Sequence, residues 1–397
     1  MSATISAELA EDLVAIRRDL HQHPELGLDN PRTQQKILDA LDGLGLEITL
    51  GRDLTSVVAV LRGGAGSGRA VLLRGDMDAL PVAEDLDVDY ASREPGLMHA
   101  CGHDLHVAGL IGAARLLAAR RDELAGEVIF MFQPGEEGPG GARIMLEEGL
   151  LDVAGVPVVA AYALHVGSAG ERLGTWYGRS GPLMAAADEA VIRVIGAGGH
   201  GSQPHLAKDP VPVACEIVLA MQLMITRQFN AMEPMVLTVG KIVGGTKDNI
   251  IPDDATLELT LRTFDAEQRL AAQHAVRRLA EGIAAAHGLS AEVTWLMGYP
   301  VTVNDATEYA FLRATAEELF GADRYVDMPH PEAGAEDFSF VAEQVPSAYV
   351  FLSACAADDP LTAADNHSPR AHFDDSVVPD GALLLAELAL RRLANPR

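Results

Sequence analysis

The sequence predicts an α/β protein in which a mainly parallel β-sheet, covered by helices on both faces, carries a smaller inserted α+β domain. Three features of the 397 residues lead to this prediction. Continuous apolar runs alternate with helical patterns in the first half, as the strands of a parallel sheet buried on both faces do. From about residue 184 the apolar runs alternate with polar residues instead. After about residue 298 the first pattern returns.

The first part begins with an amphipathic helix, because Leu9, Leu13, Ile16 and Leu20 recur at helical spacing. Further helices are expected at 33–44, 105–120 and 141–149, and strands at 56–61, 70–76, 127–132 and 156–164. Ligands of such sheets bind in loops at the carboxyl ends of strands. The polar motifs described below each follow an apolar run and therefore suit that position.

The inserted domain is expected to span 184–297, between catalytic segments 1–183 and 298–397. Strands are predicted at 189–196, 234–245, 255–264 and 291–298, and helices at 210–229 and 266–287. The order strand, helix, strand, strand, helix, strand is that of a small α+β sandwich. The last segment then supplies a helix at 305–320, a strand at 347–352 and a helix at 377–394.

The charge balance excludes several classes of partner. Acidic residues outnumber basic ones by 57 to 30, which gives a formal charge of −27. This argues against surfaces that bind nucleic acid or anionic membranes. No secretory signal and no apolar window long enough to span a membrane is recognised. Cys101, Cys215 and Cys355 are too few and too widely spaced for a disulfide framework, so a cytoplasmic location is expected.

Two glycine-rich stretches do not predict a nucleotide site. The segment GAGGHG (196–201) fits the dinucleotide pattern G-x-G-x-x-G. However, Pro204 and Pro210 lie where the phosphate-binding helix would run, and no acidic strand end follows at the required distance. The segment RGGAGSG (62–68) lacks the lysine and hydroxyl residue of a phosphate loop. The glycines of the first stretch are expected to form a loop that carries His200.

The segment MHACGHDLH (98–106) concentrates possible metal ligands, since His99, Cys101, His103 and His106 can each donate a lone pair. Two more histidines, His165 and His367, follow apolar runs further along the chain. A lone histidine of this kind is usually a core or turn residue. The combination is more telling, because soft and borderline ligands are those that first-row transition ions prefer. The expected ligand set is Cys101, His103, Glu137, His165 and His367.

The segment QPGEEG (133–138) places two glutamates side by side. In an extended strand Glu136 and Glu137 would point to opposite faces, so the backbone must bend for both to serve one site. The flanking prolines and glycines favour such a bend. A divalent cation would relieve the repulsion between the carboxylates, with one glutamate as ligand and its neighbour free as a base. In RGDMDALP (74–81), Asp78 is expected to orient a metal-bound histidine.

Eight motifs in order along nearly the whole chain resemble those of the two-metal amidohydrolases, a family that includes aminoacylases, hippurate hydrolase, auxin–amino-acid conjugate hydrolases and carboxypeptidase G. They are DLHQHPELG (19–27), RGDMDALPV (74–82), HACGHDLH (99–106), PGEEG (134–138), LHV (164–166), GGHGSQPH (198–205), AGAEDFS (333–339) and NHSP (366–369). The match is closest to the branch that hydrolyses N-acyl amino acids. That branch has a cysteine where its peptidase relatives have a bridging aspartate.

The resemblance implies a zinc-peptidase-like catalytic domain and assigns roles by position. Cys101, His103, Glu137, His165 and His367 would hold two divalent ions, which could be zinc, manganese, cobalt or nickel. Glu136 would be the catalytic acid and base. The inserted domain would be a lid that forms a homodimer, with His200 reaching into the partner's site. A tetramer is the alternative assembly. Asn249 and Arg262 match residues that hold the substrate carboxylate, although an ordinary surface role suits Arg262 equally.

The expected reaction is metal-dependent hydrolysis of the amide bond of an N-acyl amino acid, such as an N-acetyl, benzoyl or indole-acetyl derivative. A dipeptidase or carboxypeptidase with the same mechanism is the main alternative. Cys101 also allows a hydrolase with a cysteine nucleophile. A non-catalytic metal-binding protein is the third class, but loss of Glu136 would be its sign, and that glutamate is present.

Overall fold

The computed structural model describes residues 5–66 and 68–395. Its helices are α1 (Ala7–His21), α2 (Pro31–Leu41), α3 (His103–Ala119), α4 (Gly141–Glu147), α5 (Pro210–Gln228), α6 (Ala266–Ala286), α7 (Ala306–Phe320), α8 (Ser339–Ala342) and α9 (Val378–Ala394). All the helices expected from the sequence are present. Only the single turn α8 was not expected, because one turn has no periodicity to detect.

The strands include every strand expected from the apolar runs. They are β1 (Glu47–Leu50), β2 (Val57–Arg62), β3 (Ala70–Asp76), β4 (Glu127–Gln133), β5 (Val158–Gly167), β6 (Trp176–Gly178), β7 (Gly181–Met184), β8 (Ala186–Ile195), β9 (Gly199–His200), β10 (Met235–Gly244), β11 (Ile250–Ile251), β12 (Asp254–Thr263), β13 (Ser290–Met297), β14 (Thr302–Asn304), β15 (Tyr325–Asp327) and β16 (Ser347–Ser353). The unexpected strands have two to four residues, which is too short for an alternating pattern.

The larger of two compact units comprises Met1–Leu183, Val303–His330 and Asp337–Arg397. Its sheet has the order β1-β2-β4-β3-β5-β16-β6-β15. The four central strands, β4, β3, β5 and β16, run parallel. Strands β1 and β2 pair antiparallel with their neighbours, and β6 is antiparallel to β16 but parallel to β15. Strands β3, β4 and β16 are buried at every position. Both faces are therefore covered, as the continuous apolar runs predicted.

Helices α3 and α9 pack on one face of this sheet, and α1 packs beside them. Helix α1 begins after Ser6, whose side chain accepts a hydrogen bond from the main-chain N–H of Leu9. Its apolar stripe of Leu13, Ile16 and Leu20 is buried in the main core. On the other side, α4 contacts β4 and α8 contacts β16. These elements hold the carboxyl ends of the parallel strands in fixed positions.

The smaller unit comprises Met184–Thr302 and Pro331–Glu336. Its antiparallel sheet, β10-β12-β8-β13, packs against α5 and α6, in the strand and helix order that the sequence predicted. The unit extends past 297 because residues after β13 remain bound to β8: Ala187 donates a main-chain hydrogen bond to Tyr299. It also takes in the separate segment 331–336, whose sequence has no hydrophobic periodicity that would assign it to this unit.

Helix α5 corrects one expectation, because by length and hydropathy it is apolar enough to cross a membrane. One such helix is weak evidence, since core helices of folded proteins share these properties. Here Val213, Ile217, Met221 and Met224 are buried in the core of the smaller unit, where α5 packs on β10 and β12. The helix therefore serves as one layer of an α+β sandwich.

Candidate metal centre

The polar motifs lie where three adjacent parallel strands end. Strand β3 ends at Asp76, β4 ends at Gln133 and β5 ends at Gly167, and the three are neighbours in the sheet. His165 lies near the end of β5, opposite Phe351 of β16. Since the carboxyl ends of parallel strands share one edge of a sheet, these segments meet there.

The backbone bends directly after β4, as the sequence predicted. Gly135, Gly138 and Gly140 have φ angles of 76°, 117° and 74°, which are left-handed conformations that favour glycine. The bend brings the main-chain N–H groups of both glutamates to one carboxylate. Glu136 donates to Asp78 Oδ1 at 3.0 Å and Glu137 donates to Asp78 Oδ2 at 3.1 Å.

His103 is the first residue of α3. It follows Gly102, whose φ of 81° and contact with Val166 leave no room for a side chain. The Nδ1 atom of His103 lies 2.8 Å from the carbonyl oxygen of Asp78 and donates to it. In the neutral ring the lone pair is then on Nε2, which is buried and has no hydrogen-bond partner. His103 thus presents a buried nitrogen whose lone pair could bind a metal ion.

His165 is oriented in the same way. Its Nδ1 donates to the carbonyl oxygen of Val166 at 2.8 Å, and its Nε2 lies 3.3 Å from the sulfur of Cys101. His367 approaches from another loop, with Nε2 3.2 Å from Glu137 Oε1. Among the described residues it is the only non-glycine with positive φ, at 69°. Backbone strain of this kind is often found at functional sites.

The five side chains expected as ligands converge. The donor atoms of Cys101, His103 and His165 lie within 4.8 Å of one another, and so do those of Cys101, Glu137 and His367. A third such group joins Glu136 to His103 and Glu137. Cys101 belongs to the first two groups. Its sulfur therefore lies between His103 and His165 on one side and His367 on the other.

The charges of these groups are strongly coupled. Burial alone would raise the pKa of the Cys101 thiol, but the imidazoles of His165 and His103 hold it well below its usual value. Hydrogen bonds with Cys101 and Glu137 raise the pKa of His367 to about 10. Protons on the imidazoles therefore balance the negative charge of the thiolate and carboxylates. A metal cation would compete with these protons for the same lone pairs.

The other two histidines of the 98–106 segment, His99 and His106, are not among the proposed metal ligands. His106 Nδ1 lies 2.5 Å from Asp76 Oδ1, and its Nε2 accepts from the main-chain N–H of Val166. Both nitrogens are therefore engaged, although donor atoms of Asp76, His103 and His106 also lie close together. His99 is buried elsewhere, beside His21, and burial lowers its pKa to about 3.

A buried ion network beneath the site was not predicted from the sequence. Arg74 donates to Asp76 at 2.6 Å, to Gln133 at 2.9 Å and to Asp337 at 3.1 Å. Burial alone would raise the pKa of Asp76, but Arg74 and His103 hold it well below its usual value. The motifs RGD (74–76) and EDF (336–338) contain Arg74 and Asp337. The sequence did not show that these two residues pair, because they are far apart along the chain. A further missed residue, Asn366, precedes His367.

The remaining expected site residues lie in the smaller unit. His200 is exposed on β9, with its Nδ1 2.9 Å from the Ser202 hydroxyl. Asn249 is its neighbour, because the Asn249 carbonyl accepts from Gly201 and the next residue pairs with His200. Arg262 lies on β12, on the face opposite the helices, since its neighbours in sequence are the buried ones. It is separate from the His200 pair.

Fold and site together define an α/β protein with a candidate two-metal centre at the carboxyl edge of a mainly parallel sheet. The chain belongs to Peptidase family M20/M25/M40, whose sequence profile matches residues 72–391. The family resemblance inferred from the eight motifs is therefore confirmed.

Named relatives match from three quarters to nearly all of the chain. A thermostable carboxypeptidase of Saccharolobus solfataricus is 38% identical over 388 residues, which are 97% of this chain and 96% of the relative. An N-acyl-L-amino acid amidohydrolase of Geobacillus stearothermophilus is 41% identical over 75% of this chain and 79% of its own. A dinuclear metal-binding M20 peptidase of Bacillus subtilis has a similar crystal structure, with a TM-score of 0.84 and 34% identity over 98% of this chain and 100% of its own.

Proposed function

We propose that this protein is a metal-dependent amidohydrolase that cleaves N-acyl amino acids to a carboxylic acid and a free amino acid. The observation that carries the proposal is the convergence of two donor groups that share Cys101, with the buried carboxylate of Glu136 close to His103 and Glu137. The family, which includes a dinuclear metal-binding peptidase and an N-acyl-L-amino acid amidohydrolase, supports the same reaction.

Two divalent transition-metal ions would be held by Cys101, His103, Glu137, His165 and His367. The buried Nε2 of His103, which makes no hydrogen bond, and the lowered pKa of Cys101 fit such ions. Thiolate, imidazole and carboxylate together suit zinc, manganese, cobalt or nickel. When bound, the ions supply Lewis acidity, which makes a water molecule more acidic and polarises the amide carbonyl.

Glu136 acts as the general base and then as the general acid. It takes a proton from the attacking water and returns it to the leaving amine, which must be protonated before it departs. Asp78 fixes the backbone of the glutamate pair through its two hydrogen bonds. His200 of a second copy of the chain would donate a hydrogen bond to the developing oxyanion. Asn249 and Arg262 would hold the substrate carboxylate.

The smaller unit would form the homodimer. Its outermost strand β10 exposes Ile242 and Val243, and the adjoining helix α5 exposes Leu219 and Leu223. Exposed strand edges and apolar patches of this kind favour association with another chain. A tetramer is a possible higher assembly. A cytoplasmic location fits the three free thiols of the described residues.

A carboxypeptidase activity is the second candidate, because two relatives of nearly the full length are named carboxypeptidases. Peptide and N-acyl amide bonds have the same chemistry, so the same site residues would serve both. The two functions differ in what occupies the acyl side of the scissile bond. A cysteine nucleophile is less well supported, since it leaves Glu137 and His367 without a role.

The decisive experiment uses protein stripped of metal and then reloaded with each of the four ions. A panel of N-acetyl, benzoyl and indole-acetyl amino acids is assayed beside dipeptides and longer peptides. We expect hydrolysis of N-acyl amino acids only in reloaded protein. Preference for peptides would favour the carboxypeptidase function instead. Full activity in stripped protein would contradict both and would favour Cys101 as a nucleophile.

A further inference from the structure

The side chain of Asn366 links three segments that carry the candidate metal ligands. Its Oδ1 accepts from both the main-chain N–H and the hydroxyl of Ser168, each at 2.9 Å. Because a main-chain N–H can only donate, this contact fixes which end of the amide is the oxygen. The Nδ2 group therefore faces the opposite way, where it donates to the carbonyl oxygen of Val166 at 3.0 Å.

The same Nδ2 group lies beside Cys101. It is 3.4 Å from the carbonyl oxygen of Cys101 and 3.8 Å from its sulfur. A hydrogen bond from an amide N–H to a thiolate stabilises its negative charge and tunes its strength as a ligand. Asn366 thus contacts the end of β5, which carries His165, and the segment that carries Cys101.

His367 is the next residue, and its backbone has the left-handed conformation already described. Two hydrogen bonds hold this strained position from either side. The main-chain N–H of His367 donates to the carbonyl oxygen of Ala100 at 2.8 Å. The preceding residue, Asn366, is held by the hydrogen bond that its side chain accepts from Ser168. The buried Ser168 hydroxyl also lies 2.9 Å from the carbonyl oxygen of Ala364, so its single proton is shared between that oxygen and Asn366 Oδ1, and the start of the same loop is held nearby.

We propose that Asn366 is a positioning residue that sets the spacing of Cys101, His165 and His367 for metal binding. The inference rests on the proposed metal centre. Asn366 is not itself a ligand, because its amide oxygen is taken by Ser168 and its amide nitrogen has no lone pair to give. It acts by holding three loops from different strands in one arrangement and by donating toward the shared sulfur. Its loss should therefore affect metal binding more than folding.

Another asparagine of the larger unit provides a matched control. Asn304 is buried and makes three hydrogen bonds, donating to Arg179 and Tyr349 carbonyl oxygens and accepting from the Tyr349 N–H. It is thus comparable to Asn366 in its bonds to main-chain atoms. None of its partners is a candidate ligand or an immediate neighbour of one. Replacement of Asn304 should lower thermal stability without a specific effect on metal binding.

The experiment compares Asn366→Ala, Asn366→Asp and Asn304→Ala with the wild type, with cobalt(II) as the metal probe. Affinity is measured by competition with a chelator, and the sulfur-to-cobalt absorption reports the Cys101 contact. We expect both Asn366 variants to lose about 10–100-fold in affinity, with a shifted or weakened sulfur band. Asn366→Asp keeps the acceptor for Ser168 but loses the donor and adds a charge near the sulfur, so it should not restore binding.

Near wild-type cobalt affinity and an unchanged sulfur band in Asn366→Ala would overturn the inference. An equal loss of affinity in Asn304→Ala would also overturn it, because the effect would then be general destabilisation. If the wild-type protein itself binds no cobalt, the proposed function fails and the inference falls with it. That outcome is distinguished from the others by the wild-type titration alone.

Discussion

The carboxylate of Asp78 accepts a hydrogen bond of 3.0 Å from the main-chain N–H of Glu136. Its second oxygen accepts from Glu137, and its own carbonyl oxygen accepts from His103 Nδ1. One aspartate therefore orients the proposed base and two proposed ligands. The sequence predicted that Asp78 would orient a histidine through its carboxylate, whereas in the structure the main-chain carbonyl makes the shorter contact.

Asp78→Asn should weaken metal binding and activity together. The amide would present an NH₂ group to one of the two main-chain N–H donors, so one hydrogen bond is replaced by a repulsive contact. Loss of such an orienting group typically costs about 10–100-fold in metal affinity or activity. Metal affinity and kcat/KM are measured for this variant and for Asp87→Asn, an exposed control in the following loop. Equal behaviour of the two variants would contradict the role of Asp78.

Replacements of the two glutamates should have different effects. Glu136→Gln removes the proposed proton carrier and should lower kcat by about 10²–10⁴-fold while the metal content stays the same. Glu137→Gln removes a charged ligand and should lower the metal content itself. Elemental analysis after gel filtration, together with the turnover rate, separates the two effects. A Glu136→Gln enzyme with near-native turnover would show that another group moves the proton.

Much of the fold was predictable because the strong patterns are local. Burial on both faces leaves β3, β4 and β16 as continuous apolar runs, and the helical spacing in α1 and α6 is equally regular. The sequence pointed to the proposed ligands because cysteine, histidine and glutamate are concentrated beside apolar runs. Within the 98–106 segment the ligand set expected from the sequence included Cys101 and His103 but not His99 and His106, and the hydrogen bonds of His106 to Asp76 and Val166 agree with that choice.

The orienting groups were less predictable because their partners are distant in sequence. Arg74 meets Asp337, and Asn366 meets Ser168 and Cys101, only after the strands have assembled. The amide of Asn366 is also not a preferred ligand for transition metals, so its residue type does not indicate a metal site. In the same way, segment 331–336 joins the smaller unit through main-chain hydrogen bonds, which residue types do not indicate.

His21 should make stability depend on pH. Burial alone would lower its pKa, but Asp104 at 2.8 Å and Glu84 raise it above the ordinary 6.5. The folded protein therefore binds more protons than the unfolded chain above about pH 6.5. The stabilisation is fully present below that pH and is lost as the pH rises through the raised pKa.

Urea unfolding at about pH 6 and about pH 9 tests this dependence on metal-free protein. The His21→Gln variant should lose less stability between these pH values than the wild type does. His274→Gln, which changes an exposed histidine of α6, should behave as the wild type. An identical loss in His21→Gln and the wild type would show that other groups cause the pH dependence.

If His200 serves the site of a second copy, two inactive variants should complement each other. Glu136→Gln and His200→Ala alone should each have low activity. Hybrid dimers formed by mixing and partial dissociation contain one site with both groups intact, so activity should return. The recovery is measured against time and concentration, with each variant mixed with itself as the control. Absence of recovery, with hybrid dimers shown by mass spectrometry, would place His200 in its own chain's site or outside the reaction.

The most direct test is a crystal structure of protein loaded with manganese or zinc, recorded at the absorption edge of that metal. Two anomalous peaks are expected, both contacted by the Cys101 sulfur, with His103 and His165 on one side and Glu137 and His367 on the other. Glu136 should approach without coordinating either ion. Absence of metal from this cluster, or binding of metal at other residues, would contradict the two-metal centre.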